Sequence, residues 1–190
     1  MNENLAYQEE FRREEMIGGK LVAMGTPSVH HSMIVLNLSR ILGNFFHGKA
    51  CTPFGDNTKV YLSETERFIP DALVVCDAEK IRPDGIHGAP DLVVEVLSPS
   101  TADRDRRHKK DAYETYGVKE YWIISQADKT VEQYVLRDGR LKLKGVYSVY
   151  PDWMLADLTQ QERADIKTEF ESSLFEDLVI QLEELFYRVP

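Results

Sequence analysis

Leu92-Val93-Val94-Glu95-Val96-Leu97 holds five aliphatic residues around a single ionisable one, and it reads as a strand buried on both faces. A carboxylate in the middle of such a strand loses its hydration, a penalty that stands unless a cation or a hydrogen-bonding partner offsets it. The flanking sequence offers both. Upstream, Pro70-Asp71-Ala72-Leu73-Val74-Val75 opens another apolar run with a second acid. Downstream, residues 104–110 carry Arg104, Arg106, Arg107, Lys109 and Lys110. Two carboxylates and a lysine are the inventory of a magnesium-dependent phosphodiesterase site, because magnesium is held by one or two carboxylates and the oxygens of its substrate.

Reading outward, Ser98-Pro99-Ser100-Thr101 caps a helix that runs to about Tyr116 and stops at Gly117. Asp105, Lys109 and Tyr113 are spaced by four and share one face of it, while Arg106 and Lys110 share the adjacent face, where they would meet substrate phosphates. Glu120 to Ser125 reads as a buried strand, and Asp138-Gly139 joins strands 130–136 and 140–146 as a hairpin. Upstream, strands are expected at 20–24, 50–54, 58–62 and 68–76. A helix after Pro27-Ser28 carries Ile34, Leu38, Ile41, Leu42 and Phe45 inward. Residues 4–16 read as an amphipathic helix ended by Gly18-Gly19, with Leu5, Phe11 and Met16 inward, and residues 77–90 as a loop. Near the end, Thr159-Gln160-Gln161-Glu162 has the form of a capping box, and residues 178–182 read as a strand followed by one helical turn.

A chain of 190 residues with 43% hydrophobic and 29% charged residues fits one globular domain. No apolar stretch approaches the roughly 18 residues that span a bilayer. The acidic, polar start argues against a secretory signal, so a cytoplasmic location is expected. Cys51 and Cys76 lack metal-ligand spacing and read as two reduced core thiols. The net charge of −9 argues against a broad non-specific binder of nucleic acid, while the basic stretch 104–110 gives local attraction to phosphate.

The segments 70–77 and 88–101, continued by Asp105-x-x-x-Lys109-x-x-x-Tyr113 and residues 117–124, resemble the Uma family of restriction endonucleases in the PD-(D/E)XK superfamily. Residues 13–22 are similar to that family's opening pattern, and His31 falls where a histidine is usual. The resemblance covers about residues 5–150 and the ending near 173–186. It implies an α/β (α+β) restriction-endonuclease-like fold, a mixed sheet flanked by helices, in a single domain in which residues 151–172 are an atypical insertion. It further implies Glu15, Asp71 and Glu95 as ligands of Mg2+, or of Mn2+ in its place. Lys109 would replace the lysine that usually stands two residues past the second carboxylate, where this chain has Leu97. His31, Arg106 and Lys110 would contact substrate, and the protein would be a homodimer acting on nucleic acid, DNA first. Three readings stay open at this level: a magnesium-dependent nuclease working through a metal-activated water, a non-catalytic binding or regulatory protein on the same scaffold, and a hydrolase of a non-nucleic phosphoester.

Overall fold

The structure is a computed structural model that describes residues 13–190. It begins with the hairpin β1 (Glu14–Ile17) and β2 (Lys20–Ala23), followed by the long helix α1 (Val29–Phe46). Next come β3 (Thr52–Phe54), β4 (Val60–Tyr61), β5 (Arg67–Phe68) and β6 (Ala72–Val75), then the short pair β7 (Ile81–Arg82) and β8 (Gly85–His87). The strand β9 (Leu92–Leu97) leads into helix α2, built from Ala102–Arg104, a π-helical turn Asp105–Lys109, and Lys110–Tyr116. Three strands follow, β10 (Glu120–Ser125), β11 (Thr130–Arg137) and β12 (Arg140–Ser148). The chain closes with α3 (Asp152–Ala156), α4 (Gln160–Ala164), the hairpin β13 (Glu169–Glu171) and β14 (Val179–Gln181), and α5 (Leu182–Leu185).

Two mixed six-stranded sheets result, ordered β12-β11-β10-β9-β6-β3 and β2-β1-β5-β4-β8-β7. In the first, β9 lies parallel to β10 and antiparallel to β6, and it is buried at every position. Leu92, Val94 and Val96 pack with Ile34, Leu38 and Leu42 of α1. Val93 and Leu97 face the other way, against Tyr113 of α2 and Tyr121 and Ile123 of β10. This is the mixed α+β architecture that the sequence implies. Helices cover both faces of the central strand, which is why its aliphatic run shows no alternation. Among the described residues no helix is long and apolar enough to cross a membrane.

Three expectations are corrected. Glu14–Ile17 is strand rather than helix: Gly18 and Gly19 both have positive φ (56° and 77°), the conformation of a two-residue hairpin turn, so they join two strands instead of ending a helix. The rest of the expected 4–16 helix, with Leu5 and Phe11, lies outside the described residues. The segment 77–90 is not loop throughout, because a 3-10 turn at Ala78–Lys80 and strands β7 and β8 are formed within it. Finally, Cys51 and Cys76 are not free core thiols. The β3–β6 register that sets Thr52 opposite Val75 continues to this pair, whose Cα atoms are 4.0 Å apart, and their sulfurs are bonded. Cys51 is half-buried and Cys76 exposed.

The C-terminal hairpin is fastened to the central sheet by one acid. Glu120, fully buried, accepts hydrogen bonds at Oε1 from Trp122 Nε1 (2.7 Å) and Gln133 Nε2 (2.6 Å). Its Oε2 accepts from Ser172 Oγ (2.8 Å) and from the backbone N–H groups of Ser173 and Leu174 (3.0 and 3.1 Å). Five donors satisfy this buried carboxylate without a cation, so its role is structural. Hydrogen bonds to a charged group contribute about 1.5–3 kcal/mol each, and replacing Glu120 by Leu strands several buried donors at once. Glu120→Leu is therefore expected to lower unfolding free energy in urea by about 3 kcal/mol or more and to speed amide exchange at Ser173 and Leu174. Unchanged exchange there would show that the hairpin is held by its other contacts, the bond from Gln133 Nε2 to the Glu171 carbonyl and the packing of Phe170 among them.

Candidate active site

The β6–β9 pairing aligns the two acids singled out above. Ala72 faces Val94 in the register, so one step further Asp71 stands opposite Glu95, on the face shared with Leu73 and Val93. Asp71 is fixed at both oxygens: Oδ2 accepts the backbone N–H of Val96 (2.7 Å) and Oδ1 lies 3.0 Å from His31 Nε2. His31 comes from the first turn of α1, which Ser28 caps by accepting the backbone N–H of His31 at 3.1 Å. Burial opposes charge on this imidazole, but the bond to Asp71 and the charge of Asp71 outweigh it, so the His31 pKa is raised.

Lys109 joins three elements. Its ammonium lies 2.8 Å from Glu15 Oε1 on β1, 2.9 Å from Glu95 Oε1 on β9 and 3.5 Å from Asp105 Oδ1, one turn back on α2. Tyr113 OH donates to Glu95 Oε1 at 2.7 Å, and the backbone N–H of Ile69 donates to Glu15 Oε1 at 3.1 Å. The π turn Asp105–Lys109 sits where the helix delivers these groups, and Tyr121 OH donates to the Asp105 carbonyl there at 3.1 Å. Glu15, Glu95, Asp105 and Lys109 are each 3% exposed or less.

Three acids therefore gather around one buried ammonium, with Asp71 across the strand pair from Glu95. Burial, reinforced by Asp105, Asp71 and Glu15, pushes the Glu95 carboxyl well above its ordinary range, and Lys109 offsets this only in part. Burial also raises Asp105, against the pull of Lys109. Lys109 itself is raised: desolvation would deprotonate it, but the three carboxylates win and it stays an ammonium. A cleft with this excess of negative charge fits a cation. Among the described residues no group of three or more His, Cys, Asp or Glu side chains forms a ready-made cage. The donor set suits magnesium, which needs only one or two carboxylates and keeps water and substrate oxygens, and it does not suit a closed zinc site.

Asp71, Glu95, Asp105, Lys109 and His31 line one cavity of 430 Å³, whose rim is formed by residues 23–28 and 98–101 together with Gln126. Glu15, expected as a third metal ligand, does not line the cavity: it is fully buried and bound to Lys109. Two residues assigned to substrate by the sequence lie elsewhere. Arg106 is bound to Glu132 on β11 (2.6 Å), and Lys110 stands over the ring of Tyr134, 5.3 Å from its centroid. Their helix face is the one adjacent to Lys109, as the spacing implies, but its side chains are engaged by Glu132 and Tyr134 of β11. In their place the cavity receives Arg104, Asp105 and Gln126. The i, i+4 spacing with Lys109 could have marked Asp105. Arg104 belongs to the basic stretch 104–110, but nothing in the pattern sets it apart from the other cations there, and nothing marks Gln126.

Comparison with known proteins bears on the family and the fold. The profile of the Uma2 family, described as "Putative restriction endonuclease", matches residues 2–164. Two uncharacterized proteins of Synechocystis sp., slr1290 and sll1609, are 28% and 27% identical to the chain, covering 87% and 86% of it and 83% and 88% of themselves. The crystal structure of a "putative nuclease belonging to DUF820" from Anabaena variabilis superposes with a TM-score of 0.69 at 18% identity, over 91% of this chain and 89% of that one.

The buried cluster has a measurable signature. Lys109→Met leaves Glu15, Glu95 and Asp105 without their cation, and breaking a buried pair in this way costs about 3–5 kcal/mol. Glu95 and Asp105, already raised by burial, then titrate further above their unfolded values, so the unfolded state holds fewer protons and stability falls as pH rises. The deficit against wild type in urea unfolding is expected to be large at pH 8 and smaller at pH 5. A deficit independent of pH would mean that Lys109 acts by packing alone.

Proposed function

The chain belongs to the Uma2 family, and we propose that it is a divalent-metal-dependent nuclease whose site is the cavity between β6, β9 and α2. The observation that carries this reading is the meeting of Asp71, Glu95 and Lys109 at one cavity, from segments up to 38 residues apart in sequence. Asp71 and Glu95 would hold the ion, with Glu15 behind them fixing Lys109. When bound, a divalent cation neutralises phosphate charge and lowers the pKa of a coordinated water.

The protein's own groups account for the rest. Hydrolysis adds water across a phosphodiester: the water oxygen bonds to phosphorus, the leaving oxygen departs and a proton ends on it. Negative charge grows on the phosphoryl oxygens as this happens, and a preorganised ammonium beside Glu95 stabilises it. Lys109 is held charged for this work by the neighbouring carboxylates. Tyr113 aims the Glu95 carboxylate, while His31 and the Val96 N–H aim that of Asp71. The net charge of −9 favours a second reading, a binding or regulatory protein on this scaffold, because it opposes broad attraction to nucleic acid.

Cleavage of mixed single- and double-stranded DNA and RNA separates the two. Wild type is expected to cleave with Mg2+ or Mn2+ and not with EDTA. Asp71→Asn and Glu95→Gln should lower kcat by about 10²–10³ while leaving the fold intact by circular dichroism. Full activity of Asp71→Asn would remove the metal from the mechanism, and binding without turnover by wild type would favour the regulatory reading.

A further inference from the structure

The basic run 104–110 sends its cations to different places. Arg106 pairs with Glu132, Arg107 with Asp103, and Lys109 with three carboxylates. Arg104 alone among the arginines of this run lines the cavity. Its side chain is 22% exposed, its Nε makes no hydrogen bond although buried, and its nearest acid, Glu15 Oε2, is 3.8 Å from Nη2, beyond hydrogen-bonding distance. Glu15 Oε2 is itself buried without a hydrogen bond. The cavity's other arginine, Arg13, also has a bare Nε, but it is committed to Asp56.

A guanidinium with unspent donors at the wall of an acid-rich cavity is placed for an anion that enters from outside. Two features add to it. Arg104 lies in the opening turn of α2, whose fifteen residues Ala102–Tyr116 direct the positive end of their dipole toward the same rim. Ser98, Ser100 and Thr101, which precede that turn, also line the cavity and carry hydroxyl groups. We infer that Arg104 is the substrate-positioning cation of this site and binds a non-bridging oxygen pair of a phosphate in the nucleic acid backbone. The guanidinium fork suits two oxygens of one phosphate, which an ammonium in its place would engage as a point charge. The partner so recognised is a strand gripped through few phosphates, consistent with a chain of net charge −9.

This inference rests on the nuclease reading for the identity of the ligand, but the phosphate contact can be tested apart from turnover. In wild-type protein labelled with 15N, inorganic phosphate is expected to shift the Nε–H resonance of Arg104, assigned with Arg104→Lys, and to leave that of Arg106 in place. On a cleavable oligonucleotide, Arg104→Gln should raise KM about 10- to 100-fold with a smaller effect on kcat, as expected for loss of a charge-assisted hydrogen bond. Arg104→Lys should recover part of this, and Arg106→Gln should stay within about twofold of wild type. The slope of log binding constant against log salt should become shallower by about 0.7 in Arg104→Gln, the value for one single-strand phosphate. An Arg104 resonance unmoved by phosphate, or an unchanged KM and salt slope in a folded Arg104→Gln, would overturn the inference while leaving cleavage by wild type untouched. A phosphate-induced shift in a protein that cleaves nothing would sustain the contact and retire the nuclease reading.

Discussion

The ammonium of Lys109 ties β1, β9 and α2 together beside the cavity. It bridges β1 of one sheet to β9 of the other through Glu15 and Glu95, at 2.8 and 2.9 Å, and it does so from α2. Without that cation, three acids with exposures of 3% or less would face one another in a low-dielectric interior, where charge repulsion is poorly screened. The same interaction that joins the sheets therefore sets the chemistry of the cavity. Lys109 is fixed in place and kept charged, and the acids it leaves under-compensated are the ones the proposed cation would meet.

The division of labour between the two sheets follows from this. The sheet centred on β9 is a rigid platform, covered on one side by α1 and on the other by α2, and it aligns Asp71 with Glu95 through register alone. The sheet containing β1 supplies Glu15 from behind, and Arg13, just before β1, lines the cavity. Fixed backbone donors hold three of the carboxylates: Val96 N–H on Asp71, Ile69 N–H on Glu15, and the Ser173 and Leu174 N–H groups on Glu120. Glu120 shows what a buried acid looks like when its surroundings satisfy it fully. Glu95, with one oxygen shared by Lys109 and Tyr113 and a cavity before it, presents the opposite case.

Much of the central sheet was legible because its signals are local. An aliphatic run bearing one acid, a Ser-Pro-Ser-Thr cap before a helix, Gly117 with φ of 86° ending it, and an Asp-Gly hairpin each specify structure within a few residues. The first strand escaped because Gly18-Gly19 serves equally as a helix stop and as a hairpin turn, and only the partner strand decides between them. The disulfide escaped for a similar reason. Cys51 and Cys76 meet through the β3–β6 register, which no spacing in the chain reveals. The face of α2 was readable from its four-residue steps, but what each face meets was not. The surface carrying Arg106 and Lys110 lies against β11, and the preceding turn brings Arg104 to the cavity instead.

The central physical claim is that Asp71 and Glu95, opposed across two antiparallel strands, share one divalent cation in front of Lys109. Diffraction from crystals soaked in Mn2+, collected at the manganese edge, addresses it directly. An anomalous peak between the Asp71 and Glu95 carboxylates, with the Lys109 contacts to Glu15 and Glu95 retained, is the expected result. No peak in that cleft, or manganese bound only at surface acids, would contradict it.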